Sequence, residues 1–315
     1  MAKKAFIFPG QGSQQVGMAL SLCDSYPVAK AVLQEVDDAI SQNLSRIMFE
    51  GPIETLTLTE NAQPALMAAS LAVVRVIEDQ LGKKLYECAA MVAGHSLGEY
   101  SALCAAGVLS LSDTAKLLKL RGQAMQAAVP AGKGAMAAII GLDLAAVESL
   151  VAACAETEVL AIANDNGGGQ LVISGAASAV ERAMIAAKAA GAKRALPLAV
   201  SAPFHCALMQ PAADKMAGAL ENTVFAPSPI PIIANVTATL QQDSARMRDL
   251  LVEQVCGRVR WAESVETMAA NEIGEAYELG TGKVLAGLVK RISPAIQAVS
   301  AGDPASLEPV LKALA

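Results

Sequence analysis

Ser96 lies in Val92-Ala93-Gly94-His95-Ser96-Leu97-Gly98-Glu99-Tyr100, a G-x-S-x-G pattern where an apolar run gives way to a helix-forming one. At a strand–turn–helix elbow the flanking glycines allow tight approach, and the serine takes a strained backbone that lifts its Oγ beside backbone N–H groups. Such a serine can form an ester with an acyl group. The five-residue pattern alone also fits an ordinary glycine-rich turn; the preceding AAMVAG run at 89–94 is what favours an elbow.

A serine hydroxyl is a weak nucleophile near neutrality and needs a base within hydrogen-bond reach. The chain has only two histidines. His95 adjoins the serine, so its side chain diverges at the bend and suits packing or orienting. His205, in Ser201-Ala202-Pro203-Phe204-His205-Cys206, follows the apolar stretch ALPLAV and precedes a helix-forming run near Leu208. A loop between elements suits a reactive side chain, and His205 is expected as the base. No acid is singled out after it, which departs from the Ser, acid, His order of α/β-hydrolases. A backbone carbonyl can accept the Nδ1 proton instead.

The loop Phe8-Pro9-Gly10-Gln11-Gly12-Ser13-Gln14 resembles a phosphate cradle but has Gln15 where a dinucleotide fingerprint needs its third glycine. Leu279-Gly280-Thr281-Gly282-Lys283 fails as a P-loop, with Tyr277 at the first glycine position and Val284 after the lysine. Both nucleotide readings fall. The loop can instead present the Gln11 N–H, with that of Leu97, to a tetrahedral oxyanion, a role worth ~2.7–4 kcal/mol per donor. Arg121, in Lys116-Leu-Leu-Lys-Leu-Arg121-Gly-Gln-Ala-Met125, reads either as a solvated helix charge like Lys116 and Lys119 or as a buried fork for a carboxylate.

These groups need a scaffold, and 315 residues, 54% hydrophobic and 3% aromatic, supply ample aliphatic core for helices packed on sheets. Apolar runs at 5–8, 89–94, 230–235 and 276–279 read as buried strands. Helix formers fill 64–80, 97–107, 112–128, 208–221, 246–256, 262–271 and 282–291. The alternation predicts an α/β fold with a mostly parallel sheet. Residues 130–199 have their own βαββαβ grammar: strands at 135–140, 158–163, 170–174 and 194–199, helices at 143–155 and 176–190. This is the ferredoxin-like order, expected as a subdomain inserted into a catalytic domain made of 1–129 and 200–315; the alternative is a continuation of the main sheet.

Six cysteines without a Cys-x-x-Cys pair suggest neither a disulfide framework nor a zinc site. A net charge of −6 without an arginine-rich stretch argues against nucleic acid. The N-terminal apolar run ends at Phe8, too short for a signal peptide, and Arg75, Glu156, Glu158 and Lys188 interrupt the alanine-rich stretches that could otherwise cross a membrane. A cytoplasmic protein is expected.

Taken together, FPGQGSQ near the start, GHSLGEY around Ser96, LRGQAM around Arg121, SAPFHCALM around His205 and ELGTGKVL near 280 resemble the malonyl-CoA:acyl carrier protein transacylase family, in order and spacing, from about residue 4 to 300. The resemblance implies an α/β-hydrolase-like main domain carrying a ferredoxin-like insertion, with the site between them. It implies acylation of Ser96, His205 as base, Gln11 and Leu97 as oxyanion donors, and Arg121 gripping the malonyl carboxylate. The main-chain carbonyl of Gln254 would hold His205, Asn166 would lie near the substrate, and Phe204 would favour malonyl over methylmalonyl.

The implied reaction is ping-pong transfer from malonyl-CoA to the phosphopantetheine thiol of an acyl carrier protein, for fatty acid or polyketide synthesis, without cofactor or metal. The carrier is expected to be acidic and to meet a local basic patch, with Lys188, Lys193, Arg194, Lys290 and Arg291 as candidates. A free-standing monomer is expected. The rival readings are a serine thioesterase or hydrolase using the same nucleophile and a non-catalytic scaffold that docks carrier proteins.

Overall fold

In the computed structural model, which describes residues 2–315, the Lys3–Phe8 strand is the centre of a three-layer arrangement. Successive side chains of a strand point to opposite faces. Phe6 and Phe8 enter one apolar core, with the helices Pro27–Ile40, Thr59–Leu81, Leu97–Ala105 and Leu111–Ala127; Ala5 and Ile7 enter another, with Trp261–Ala270 and Val284–Ile292. A strand buried on both faces reads as a continuous apolar run, which is why AFIF is legible as one.

The sheet has six strands in the order Gln297–Ala301, Ile273–Leu279, Lys3–Phe8, Met91–Gly94, Ile232–Ile233 and Leu240–Gln241. The first five run parallel and the last turns back antiparallel. Phe8 pairs with Gly94, so the loops carrying Gln11 and Ser96 leave adjacent strands at the same carboxyl edge. Sites in open α/β sheets form at that edge.

A second sheet has the order Arg194–Pro197, Gly134–Ile140, Gln170–Ala176, Leu160–Asp165 and Val259–Arg260. Its neighbours pair antiparallel except for Val259–Arg260, which joins Leu160–Asp165 in parallel from far along the chain. Ala137, Ile139 and Ile173 pack under the helices Leu144–Ala155 and Ala177–Ala189, while Met136, Ala163 and Val172 on the other face join the core of the large sheet. The molecule is thus a mixed α/β protein with two mixed sheets.

Several elements differ from expectation. The strand expected at 158–163 occupies Leu160–Asp165, and the one at 230–235 shortens to Ile232–Ile233, freeing Asn235 for other contacts. Four helices, Leu20–Ser25, Pro27–Ile40, Leu44–Glu50 and Ile53–Thr57, fill a stretch for which no elements were expected. The edge strand Gln297–Ala301 and the helix Pro304–Leu314 complete the C-terminal part.

Candidate active site

Ser96 sits at the bend with φ 53° and ψ −113°, a left-handed backbone that a non-glycine residue adopts only when its surroundings impose it. Two glycines make the bend possible. A Cβ on Gly94 would lie 1.9 Å from the carbonyl oxygen of Gly98, and one on Gly98 would lie 2.2 Å from that of Phe8. Asn235 braces the turn: its Oδ1 accepts the Ser96 N–H at 2.7 Å and its Nδ2 donates to the Gly94 carbonyl at 2.7 Å.

Ser96 Oγ lies 2.8 Å from His205 Nε2. On the far side of the ring Nδ1 meets two carbonyl oxygens, those of Gln254 at 2.9 Å and Gly257 at 3.1 Å. Carbonyls only accept, so Nδ1 carries the proton and Nε2 turns its lone pair toward the serine hydroxyl. Burial, reinforced by the nearby Arg121 charge, pushes the imidazole down to about 3, so it is neutral and ready to take a proton. His205 itself has φ 59°, a second imposed backbone at the same site.

Arg121 is 1% exposed, which removes the solvated-charge reading. Gly122 explains how it gets inside: a Cβ there would meet Glu60 Cα at 2.5 Å, so the helices Leu111–Ala127 and Thr59–Leu81 cross closely and bring Arg121 against Gln63. Its Nη1 donates to Gln63 Oε1 at 2.9 Å, and its Nη2 to Gln254 Oε1 at 2.8 Å and to Ser96 Oγ at 3.3 Å. Its Nε has no partner among the described residues. A guanidinium held inside by neutral amides and a hydroxyl can receive a carboxylate. Lys119, expected to be solvated, instead pairs with Glu60 at 2.9 Å.

A cavity of about 280 Å³ opens on these groups, lined by Gln11, Ser96, Leu97, Arg121, Phe204 and His205, with Met125, Met136 and Leu198 as apolar wall. Leu97 opens its helix, where first-turn N–H groups have no intrahelical acceptor. Neither its N–H nor that of Gln11 finds a protein acceptor among the described residues. Asn166 lies outside this cavity and faces His95, whose Nε2 is 3.0 Å from its Oδ1; the strand residue Asn164 lines the cavity instead. His95 packs near Trp261, its ring centroid 5.7 Å away, and burial lowers its pKa.

Sequence reasoning missed Asn235, Gln63, Asn164 and Glu99. Glu99 follows Ser96 by one helical turn and is 3% exposed; its Oε2 accepts Gln254 Nε2 at 2.7 Å and the Asn235 N–H at 3.1 Å. Its i+3 spacing from the serine was a usable signal. Asn235 was visible as the polar residue ending an apolar strand at the sheet's carboxyl edge. Gln63, inside a helix of mixed sequence, carried no mark.

A serine hydroxyl against a neutral imidazole, with free N–H donors and a buried guanidinium that has no carboxylate partner among the described residues, can form and discharge an ester of an acid-bearing acyl group, and fold and site together define an acyl transferase. Residues 5–292 match the acyl transferase domain family. The chain is 47% identical over 311 residues to the malonyl CoA-acyl carrier protein transacylase of Salmonella typhimurium, covering 99% of each chain, and 43% identical over 315 residues to that of Bacillus subtilis strain 168, covering 100% of this chain and 98% of the relative. The crystal structure of acyl-carrier-protein-S-malonyltransferase from Bartonella henselae matches with a TM-score of 0.97 at 54% identity over 99% of both chains. A malonyl-transacylase in complex with its holo type II PKS acyl carrier protein matches with a TM-score of 0.95 at 44% identity, over 99% of this chain and 100% of that one. The chain belongs to the malonyl-CoA:acyl carrier protein transacylase family.

Proposed function

We propose that this enzyme moves a malonyl group from malonyl-CoA to the phosphopantetheine thiol of an acyl carrier protein through a malonyl ester of Ser96, supplying the carrier for fatty acid or polyketide synthesis. The observation that carries this reading is the position of Ser96 Oγ, 2.8 Å from His205 Nε2 and 3.3 Å from Arg121 Nη2. One oxygen thus faces both a base and a site for the distal carboxylate.

Ser96 Oγ attacks the thioester carbonyl as its proton passes to His205 Nε2. The Nδ1 proton stays on the ring, donated to the Gln254 and Gly257 carbonyls, which stabilise the imidazolium. The tetrahedral oxyanion is received by the N–H groups of Gln11 and Leu97. Collapse expels the CoA sulfur, which takes the proton from Nε2, and leaves malonyl-Ser96. The carrier thiol then attacks the ester carbonyl, gives its proton to His205, and the proton returns to Ser96 Oγ as the C–O bond breaks. No step calls for a metal or for a prosthetic group of the enzyme's own; the phosphopantetheine belongs to the carrier.

Arg121 receives the malonyl carboxylate, while acetyl leaves the buried fork empty, and that difference discriminates between them. Phe204, in the cavity wall, crowds a branched acyl group and favours malonyl over methylmalonyl. Asn166 holds His95 in place behind the cavity, so it supports the substrate wall at one remove.

For the architecture, residues 1–129 and 200–315 make an α/β-hydrolase-like unit and 130–199 an inserted ferredoxin-like one. The strand order of the smaller sheet and the two helices on one of its faces support the second assignment. The enzyme works as a cytoplasmic monomer and meets an acidic carrier through basic residues among Lys188, Lys193, Arg194, Lys290 and Arg291. Among the described residues no helix is long and apolar enough to cross a membrane.

The test is the fate of the acyl-enzyme. Enzyme charged with radiolabelled malonyl-CoA and desalted should keep its label in buffer and lose it to holo carrier, with malonyl-carrier as product. Rapid loss to water with no carrier product would mark a hydrolase.

A further inference from the structure

Glu99 and Arg121 are both buried at the site, at 3% and 1% exposure, yet among the described residues no hydrogen bond or ion pair joins them directly. Between them stands the Gln254 side chain, with Oε1 accepting from Arg121 Nη2 at 2.8 Å and Nε2 donating to Glu99 Oε2 at 2.7 Å. A carboxylate and a guanidinium in direct contact would form a forked pair and fill the cation's donors. An interposed amide keeps the opposite charge near while leaving the fork open.

We propose that Glu99 is a positioning residue that, acting through the Gln254 amide, offsets the Arg121 charge and so limits how tightly the site holds an acyl group bearing a carboxylate. The inference rests on the reading of Arg121 as the malonyl grip. With Glu99 ionised the empty site holds one buried cation and one buried anion; entry of malonyl adds a second anion. Without the Glu99 charge, malonyl becomes the sole counter-ion of a buried cation, and buried unpaired charge is costly. Malonyl is then held too well and leaves slowly. Acetyl, uncharged, gains nothing from the change.

Burial pushes the Glu99 carboxyl up to about 7, against the pull of Gln254, the Asn235 N–H and the Arg121 charge. The other titratable groups around it stay fixed near neutrality, with His205 pushed down to about 3 and Tyr100 up to about 12. The counter-charge is therefore fully present only above about 7.

The test measures kcat/KM for malonyl-CoA and acetyl-CoA, with holo carrier as acceptor, in the full-length wild type, Glu99→Gln, Glu99→Asp and Arg121→Ala at pH about 8. In Glu99→Gln the KM for malonyl-CoA falls, discharge of the malonyl ester slows, and the malonyl-to-acetyl preference rises by about fivefold or more, the range of coupling between linked buried groups. Glu99→Asp, which keeps the charge, stays near the wild-type preference even if kcat drops. A purely structural role would lower both substrates together; an unchanged or lower preference in Glu99→Gln, or an equal rise in Glu99→Asp, overturns the proposal. In the wild type the preference climbs as pH falls from about 8 to about 6, a profile set by the Glu99 carboxyl, and a flat profile also overturns it. Arg121→Ala separates the two ideas: loss of malonyl preference there supports the grip, and retained preference overturns the grip and the inference with it.

Discussion

His205 Nδ1 is 2.9 Å from the main-chain carbonyl of Gln254, and the side chain of that same glutamine bonds the Arg121 guanidinium at 2.8 Å. One residue therefore holds the base with its backbone and the cation with its side chain. Gln254→Ala separates the two roles. The imidazole keeps its acceptor while Arg121 loses an acceptor and Glu99 a donor, a loss of about 1.5–3 kcal/mol for hydrogen bonds to charged groups, so malonyl kcat/KM falls roughly 10- to 100-fold. Steady-state transfer assays check this; a loss as complete as that of Ser96→Ala would mean that the side chain also holds the base.

The elbow tolerates no side chain at its second glycine. Gly98→Ala forces a Cβ to within 2.2 Å of the Phe8 carbonyl oxygen, a backbone atom of the central strand. We expect a loss of more than about 3 kcal/mol in stability, at or beyond the upper end of ordinary overpacking. Denaturant midpoints for the variant and for Gly218→Ala, whose added Cβ meets nothing within 4 Å, give the comparison.

The imidazole of His205 stays neutral because it is buried and, secondarily, because Arg121 is close. Nitrogen-15 NMR of its ring shows no titration between pH about 8 and 5, where an unperturbed histidine changes near 6.5. In Arg121→Ala the second cause is gone and the midpoint moves upward. Since the folded pKa is depressed, the unfolded chain binds this proton first, so the contribution of His205 to stability is lost as pH falls from about 6.5 toward about 3. A wild-type midpoint near 6.5 contradicts the buried, carbonyl-held ring.

The parts of the site with a sequence mark are those whose chemistry demands a rare residue or a glycine. Ser96 is marked by Gly94 and Gly98, each required by a backbone contact, and His205 by the scarcity of histidine. Arg121 is no different in type from Lys119, two residues earlier in the same helix; its burial comes from the close crossing at Gly122, a tertiary fact. The acceptor for His205 is a backbone carbonyl, which every residue possesses, so only the family resemblance pointed to Gln254. The fold follows the same logic: AFIF and MVAG are buried on both faces and read as strands, whereas Gln297–Ala301 is an edge strand of small residues with alternating exposure and gives little signal. The Pro27–Ile40 helix did carry one, a proline at its first position and a regular apolar stripe through Ala29, Val32, Leu33 and Val36.

The most direct measurement is the intact mass of the protein after brief mixing with malonyl-CoA in the absence of carrier, followed by peptide mapping. The account predicts a single malonyl adduct on Ser96, absent in Ser96→Ala and formed far more slowly in His205→Ala. Wild-type protein that turns over substrate while its mass never changes, or an adduct on another residue, would contradict it.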